Sequence, residues 1–248
     1  MSVAFQNQPA PASRFAGTLI DILDRVEYRR VRPDEQFDPV YRLRYEAYRR
    51  EEFVPFSPGG MVRDEFDDLP NAYCYGIYID GQLVSSLRFH HLTREFRTSP
   101  SYSVFPDVLD PLLDKGESCI DPGRFTSDYD ASLAYPALPF LTLRIAVMAT
   151  KYFDVKYCLS SVRPEHAAFY RRVFRSTRLA EARFYHGLNF PMEMWACDCP
   201  VVYPDLLKRY PFFMSTEEER RRLFSPPHLS PLWVHPTVRA AQQAELIS

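Results

Sequence analysis

Six charged residues fall on stretches of the chain that otherwise read as apolar: Arg44, Asp64, Asp67, Arg88, Asp121 and Arg124. They come from four places, YRLRYEAY at 41–48, RDEFDD at 63–68, SSLRF at 85–89 and DPGRF at 121–125. A lone charge is costly to bury, so these groups are expected to pair with one another in a single site. A carboxylate among guanidinium groups can take a proton from a reacting group, and a nearby donor can steady an oxygen that turns anionic. The same residues could equally be structural salt bridges that pin the loop 53–70. Residue types alone do not separate the two roles.

Other chemistry has less support. His90-His91 ends a strand with no acid or histidine at metal-ligand spacing, which reads as a surface pair and gives no metal site. The Ser-Ser pairs at 85–86 and 160–161 lie in strands and lack a nucleophile elbow. Five cysteines show no CxxC pair, and Cys197-Asp-Cys199 is too tight for an ordinary disulfide. Reduced thiols and a cytoplasmic location are the expectation.

The elements that must position the charged residues follow from periodicity and punctuation. Phe15, Leu19, Ile20 and Leu23 recur at helical spacing, with Ser13 or Thr18 as cap. Residues 26–31 alternate as a strand, and Asp34 or Asp38 can cap a helix that runs to about Arg50. Residues 72–79 and 82–89 flank Asp80-Gly81 as a β-hairpin. Residues 93–116 read as irregular, with one helical turn near 104–113. The strand 118–126 is interrupted by Pro122-Gly123, which suggests a bulge. A buried helix at 138–152, a strand at 155–162, a helix at 165–175 and late strands at 182–188 and 192–197 follow. Two amphipathic helices at about 201–209 and 215–224 precede a Pro-rich tail. This order suits a mixed central sheet with helices on both faces.

The 248 residues suffice for one well-buried domain with decorations. A net charge of −2 gives no electrostatic case for a nucleic-acid partner. No stretch approaches the ~20 apolar residues of a membrane span, and the first residues lack a signal-peptide pattern. A peripheral membrane contact through 201–248 is compatible with the sequence.

The four charged stretches, in this order and spacing, resemble the acyl-homoserine-lactone synthases and the related FeeM-type long-chain N-acyl amino acid synthases. The resemblance covers roughly residues 26–175. It implies a GNAT-like α/β (α+β) fold in which the fourth and fifth strands splay apart. An N-acyltransferase domain at 26–200 is then flanked by a tail and helix at 1–25 and by an extension at 201–248. That extension has no counterpart in the family and could cover the acyl pocket, mediate dimerisation or touch membrane lipid. The family's helix Arg and the aromatic four residues on are matched by Arg44 and Tyr48. Its spaced acidic pair is matched by Asp64 and Asp67, its strand Arg by Arg88, and its Glu-x-x-Arg by Asp121-x-x-Arg124. Two departures stand out. Val54 occupies the position of a Trp that shapes the S-adenosylmethionine site in the autoinducer enzymes, and the family Glu is shortened to Asp121. Both favour the N-acyl amino acid branch.

The implied reaction moves a medium or long acyl chain from a phosphopantetheine thioester, on acyl carrier protein or coenzyme A, to an amino acid α-amine. Asp121, held beside Arg88 or Arg124, is the candidate base or, since an Arg neighbour lowers a carboxylate's pKa, a group that orients water or the ammonium. Arg88 and Arg124 are expected in catalytic roles. Arg44, Tyr48, Asp64, Asp67, Phe125 and Ser160 are expected to bind substrate. The pantetheine arm would lie between the splayed strands, beside 120–126 and 159–162. No glycine occurs in 126–139, where a pyrophosphate loop would sit, which favours a carrier protein over coenzyme A. Arg163, Arg171, Arg172 and Arg175 are the candidate docking surface for that acidic partner, or a solvated helix face. Phe140, Leu141, Ile145, Met148 and Phe153 could wall an acyl pocket or be plain core. Two rivals remain: a homoserine-lactone synthase using S-adenosylmethionine, and a non-catalytic module that binds acyl chains or an acidic partner.

Overall fold

A computed structural model describes residues 13–36, 38–185, 190–226 and 228–245. Part of the connection between the late strands expected at 182–188 and 192–197, residues 186–189, and the segment 1–12 lie outside the described residues. The chain opens with α1 (Arg14–Leu23), β1 (Val26–Val31), α2 (Pro39–Arg50) and the hairpin β2 (Ala72–Ile79) and β3 (Gln82–Leu92). Then come α3 (Pro100–Val104), α4 (Pro106–Asp114), β4 (Cys119–Ser127), α5 (Tyr129–Ala134), α6 (Leu138–Tyr152) and β5 (Tyr157–Val162). After α7 (Ala167–Phe174), β6 (Thr177–Phe184) and β7 (Pro191–Asp198) follow α8 (Cys199–Arg209), α9 (Glu217–Phe224), β8 (Trp233–Val234) and α10 (Val238–Glu245).

Local chemistry fixes the boundaries. Of the candidate caps, Ser13 accepts from the Ala16 N–H at α1, and Asp38 accepts from Val40 ahead of Pro39 at α2. Asp80 and Gly81 sit at φ 50° and 78°, the left-handed pair that a type I′ hairpin requires. The sheet order is β6-β7-β5-β4-β3-β2-β1-β8 among the described residues. Most neighbours are antiparallel; β4 and β5 are parallel.

That parallel pair is the feature that matters for a site. β4 and β5 pair only at Cys119 with Tyr157 and Ile120 with Cys158 among the described residues. Beyond those positions the strands part, as the resemblance implies. β4 is also bulged: Arg88 pairs with Gly123 and Ser86 with Thr126, so Arg124 and Phe125 together oppose Leu87. Arg124 takes the left-handed conformation at φ 52°. Pro122-Gly123 announced the bulge, but the strained residue is the arginine one position later.

Alternation along the strands sorts side chains between two faces. Leu87, Phe89 and Ile120 face the main core, which includes α6, the Phe212-Phe213 turn and α9. Leu92, Cys119 and Leu159 face a second cluster with Phe105, Leu109 and Leu113. α6 is buried on nearly all sides.

Three expectations need correction. Residues 93–116 contain α3 and α4, not irregular chain, because Ser99 and Phe105 each precede a proline that starts a helix. The Pro-rich tail carries β8, which extends the sheet beside β1, and α10, whose Arg239 pairs with Asp21 and Asp24 near α1. His90-His91 is no surface pair. His90 is buried within β3 with its Nε2 2.9 Å from the Phe66 carbonyl oxygen, and His91 packs against Phe153.

Candidate active site

Five of the six charged residues form one network. A short 3-10 turn, Glu65–Asp67, carries a reciprocal cap: Asp64 accepts from the Phe66 N–H and Asp67 accepts from the Asp64 N–H, at 3.1 and 3.0 Å. This locks two carboxylates toward the arginines. Arg44 donates to both Asp67 oxygens at 2.9 and 3.1 Å and to Cys74 Sγ at 3.1 Å. Arg88 bridges Asp64 at 2.5 Å and Asp67 at 2.9 Å. Arg124 reaches Asp64 from the bulge through Nη2 at 2.5 Å and Nε at 3.2 Å, with its guanidinium over the Tyr48 ring. Burial pushes the Asp64 carboxyl up, but Arg88 and Arg124 overcome this and hold it well below the usual carboxylate range.

Asp121 stands apart. It is expected beside Arg88 or Arg124, yet no ion pair to either is found among the described residues. It faces α3, where Ser101 Oγ donates to it at 2.6 Å. Ser101 Oγ lies 2.9 Å from Ser161 Oγ and accepts from the Tyr185 hydroxyl at 3.1 Å. Burial raises the Asp121 carboxyl above its ordinary range, with the hydrogen bond from Ser101 opposing. Six residues thus form two carboxylate environments, one strongly ionised and one pushed toward neutrality. Serines and a tyrosine had no sequence signal, because hydroxyls this common acquire meaning only from their neighbours.

Both environments border one cavity of about 1060 Å³ that fills the gap between β4 and β5. Tyr48, Asp64, Arg88, Arg124, Phe125 and Ser160 line it. Ser161 and Tyr185 line it too and connect it to Asp121. Arg44 and Asp67 are absent from its lining; each is fully buried behind it, so their observed contacts are with the network and not with the cavity. The cavity continues along α6 past Leu143, Ala146, Val147 and Thr150. Of the two roles open to Phe140, Leu141, Ile145, Met148 and Phe153, they take that of core: they pack in or against the main cluster and are absent from the cavity lining. A helix buried all round gives periodicity no means to choose a face.

The four docking arginines are dispersed. Arg171 and Arg172 are exposed on α7. Arg175 pairs with Asp205 of α8 at 2.9 Å. Arg163 lines the cavity, pairs with Glu165 at 3.0 Å, and lies over the rings of Phe53 and Phe190. His166, beside it, also lines the cavity. No described helix is long and apolar enough to cross a membrane.

A mixed sheet forked between two parallel strands, with helices on both faces, is a GNAT-like architecture; the chain's activity, N-acyl transfer, follows from the family match. The profile of the N-acyl amino acid synthase FeeM family matches residues 39–198, more than half of the chain, and the chain belongs to that family. Among solved structures, FeeM, an N-acyl amino acid synthase from uncultured soil microbes, superposes with TM-score 0.58 at 19% identity, covering 75% of this chain and 97% of that one. BjaI, a CoA-dependent acyl-homoserine lactone synthase, gives 0.53 at 15% identity over 75% and 89%. The acyl-homoserine lactone synthase LasI gives 0.52 at 16% identity over 72% and 94%. At these identities the likeness is one of fold. Among curated protein sequences, none matches the chain.

Proposed function

We propose that this N-acyltransferase joins a fatty acyl chain, carried as a phosphopantetheine thioester, to the α-amine of an amino acid. The observation that carries this reading is the continuity of the cavity, which links the Asp64–Arg124 pair, the forked strands and the apolar length of α6 in one space.

Arg124 and Asp64 suit the two charged ends of an amino acid, the guanidinium for its carboxylate and the ionised carboxylate for its ammonium group. A free α-amine has a pKa of about 8, so at neutral pH it needs to lose one proton before attack. Asp121, with its raised affinity for protons, receives that proton through Ser161 and Ser101, and the amine attacks the thioester carbonyl. Unpaired backbone of β4 past Ile120 bonds the pantetheine arm, and N–H groups at the bulge donate to the developing oxyanion. Collapse breaks the C–S bond and releases the thiolate, which takes the second proton of the attacking nitrogen, leaving a neutral amide and the free thiol.

For the donor we assign an acyl carrier protein. Residues 126–139 contain no glycine, and the α5 N-terminus is already capped by the Asp128 carboxylate, which opposes a pyrophosphate there. Arg171 and Arg172 offer exposed positive charge on α7 for an acidic carrier. The test is incubation of the protein with acyl carrier protein or coenzyme A thioesters and a mixture of amino acids, read by mass spectrometry. Acylated amino acid with release of free thiol is expected, faster from the carrier protein. Methylthioadenosine release on addition of S-adenosylmethionine would instead establish lactone synthesis.

A further inference from the structure

The family match ends at residue 198, yet the cavity continues into α8. Cys199, Val202, Tyr203 and Leu206 all line it. Their spacing of three, four and seven residues places them on one face of the helix. Register locates this face relative to the fork. Asp198, immediately before α8, pairs with Tyr157, and Tyr157 is where β4 and β5 are still joined, opposite Cys119. α8 therefore starts at the root of the fork, whereas Arg124 and Arg163 lie toward its open end.

The helix is fastened at several points. Lys156 holds Asp198 at 2.6 Å, Arg175 holds Asp205 at 2.9 Å, and Arg209 donates to the Arg172 carbonyl at 3.0 Å. The chain that follows is tied to α6 by the fully buried Arg144–Glu219 pair, and Glu219 also accepts from the Thr237 N–H and hydroxyl at 2.9 and 2.7 Å. Of these ties the buried Arg144–Glu219 pair, more than the part-exposed pairs along α8, resists displacement of the wall by a longer ligand.

We propose that α8 is the end wall of the acyl tunnel and that Val202 and Leu206 set the upper limit of chain length. This rests on the N-acyl-transfer reading and adds the feature that selects among its donors. Each methylene that fits is favoured by about fourfold in affinity, and one that must overpack against the wall is penalised beyond losing that gain. The result is a selectivity that climbs with length and then drops.

The test offers the protein an equimolar series of acyl thioesters of graded length with an amino acid mixture and reads product ratios by mass spectrometry. Ratios within one mixture are independent of the folded fraction. Leu206→Phe is expected to lower the limit by about two methylenes, with the longest wild-type product falling about tenfold relative to shorter ones. Val202→Ile is the milder filling variant should the first fold poorly, and Leu206→Ala is expected to admit longer chains. Ratios that stay at wild-type values in Val202→Ile and Leu206→Ala overturn the proposal, as does an equal loss at every length. No acylated product from the wild type at any length would instead overturn the transfer reading beneath it.

Discussion

Arg124 Nη2 and Asp64 Oδ2 lie 2.5 Å apart although sixty positions separate them in the chain. The contact exists because the β4 bulge turns Arg124 into a left-handed conformation, φ 52°, and because the 3-10 turn after Asp64 fixes the carboxylate.

Removing the carboxylate should therefore disturb two arginines together. In Asp64→Asn, Arg88 and Arg124 both lose an anionic partner, and breaking a buried pair costs about 3 kcal/mol or more. Chemical denaturation should show that loss, and the KM for the amino acid should rise more than kcat falls. The depressed Asp64 pKa stabilises the fold at pH values above its unfolded value of about 4, and that contribution is lost as pH falls toward the folded value. The variant's deficit should accordingly narrow in strong acid.

Ser101→Ala tests the proton route. Ser101 lowers the Asp121 pKa by donating to its charged form, so losing that bond raises an already raised value. The rate should fall because a relay hydroxyl is lost, and the acid limb of the remaining kcat/KM profile should move to higher pH, while Asp121→Asn should abolish the limb and most of the rate. A profile that keeps its wild-type limb in Ser101→Ala would show that the proton leaves by another path. Asp121 also costs stability once ionised, a penalty absent at low pH that grows as pH rises through its folded pKa, so Asp121→Asn should be the more stable protein at neutral pH.

Arg124 separates backbone from side chain. Arg124→Gly and Arg124→Ala both remove the guanidinium, but only glycine adopts φ 52° freely. The Gly variant should be more stable than the Ala variant by about 1 kcal/mol in thermal unfolding, with both similarly poor in acceptor binding. Equal stabilities would indicate that the bulge relaxes when the side chain is gone.

Arg171→Glu with Arg172→Glu should raise the KM for acyl carrier protein by about tenfold at low ionic strength and leave the coenzyme A thioester unaffected. The difference should shrink in high salt. A loss common to both donors would point to damage in the cavity.

Glu219→Gln addresses the C-terminal segment. Arg144 would keep its bonds to the Phe212 and Met214 carbonyls but lose the buried carboxylate. A loss of about 3–5 kcal/mol is expected, with earliest hydrogen exchange in 212–238.

The amino-acid sequence by itself determined the local devices. Asp38-Pro39 starts α2, Asp80-Gly81 turns the hairpin, and Pro122-Gly123 marks a bulge, because each depends on backbone preferences that neighbouring residues settle. It also indicated which charges belong together, since arginines and aspartates on apolar stretches have few ways to be buried. Tertiary structure alone decided how they were shared. Arg44 went behind the cavity with Asp67 and Cys74, while Asp121 left the arginines for Ser101. It also decided which face of α6 lines the cavity, that Arg144 meets Glu219, and that the C-terminal segment closes on the core. Such choices turn on which surfaces meet across the sheet, and a pattern along one strand or helix carries no term for what packs against it.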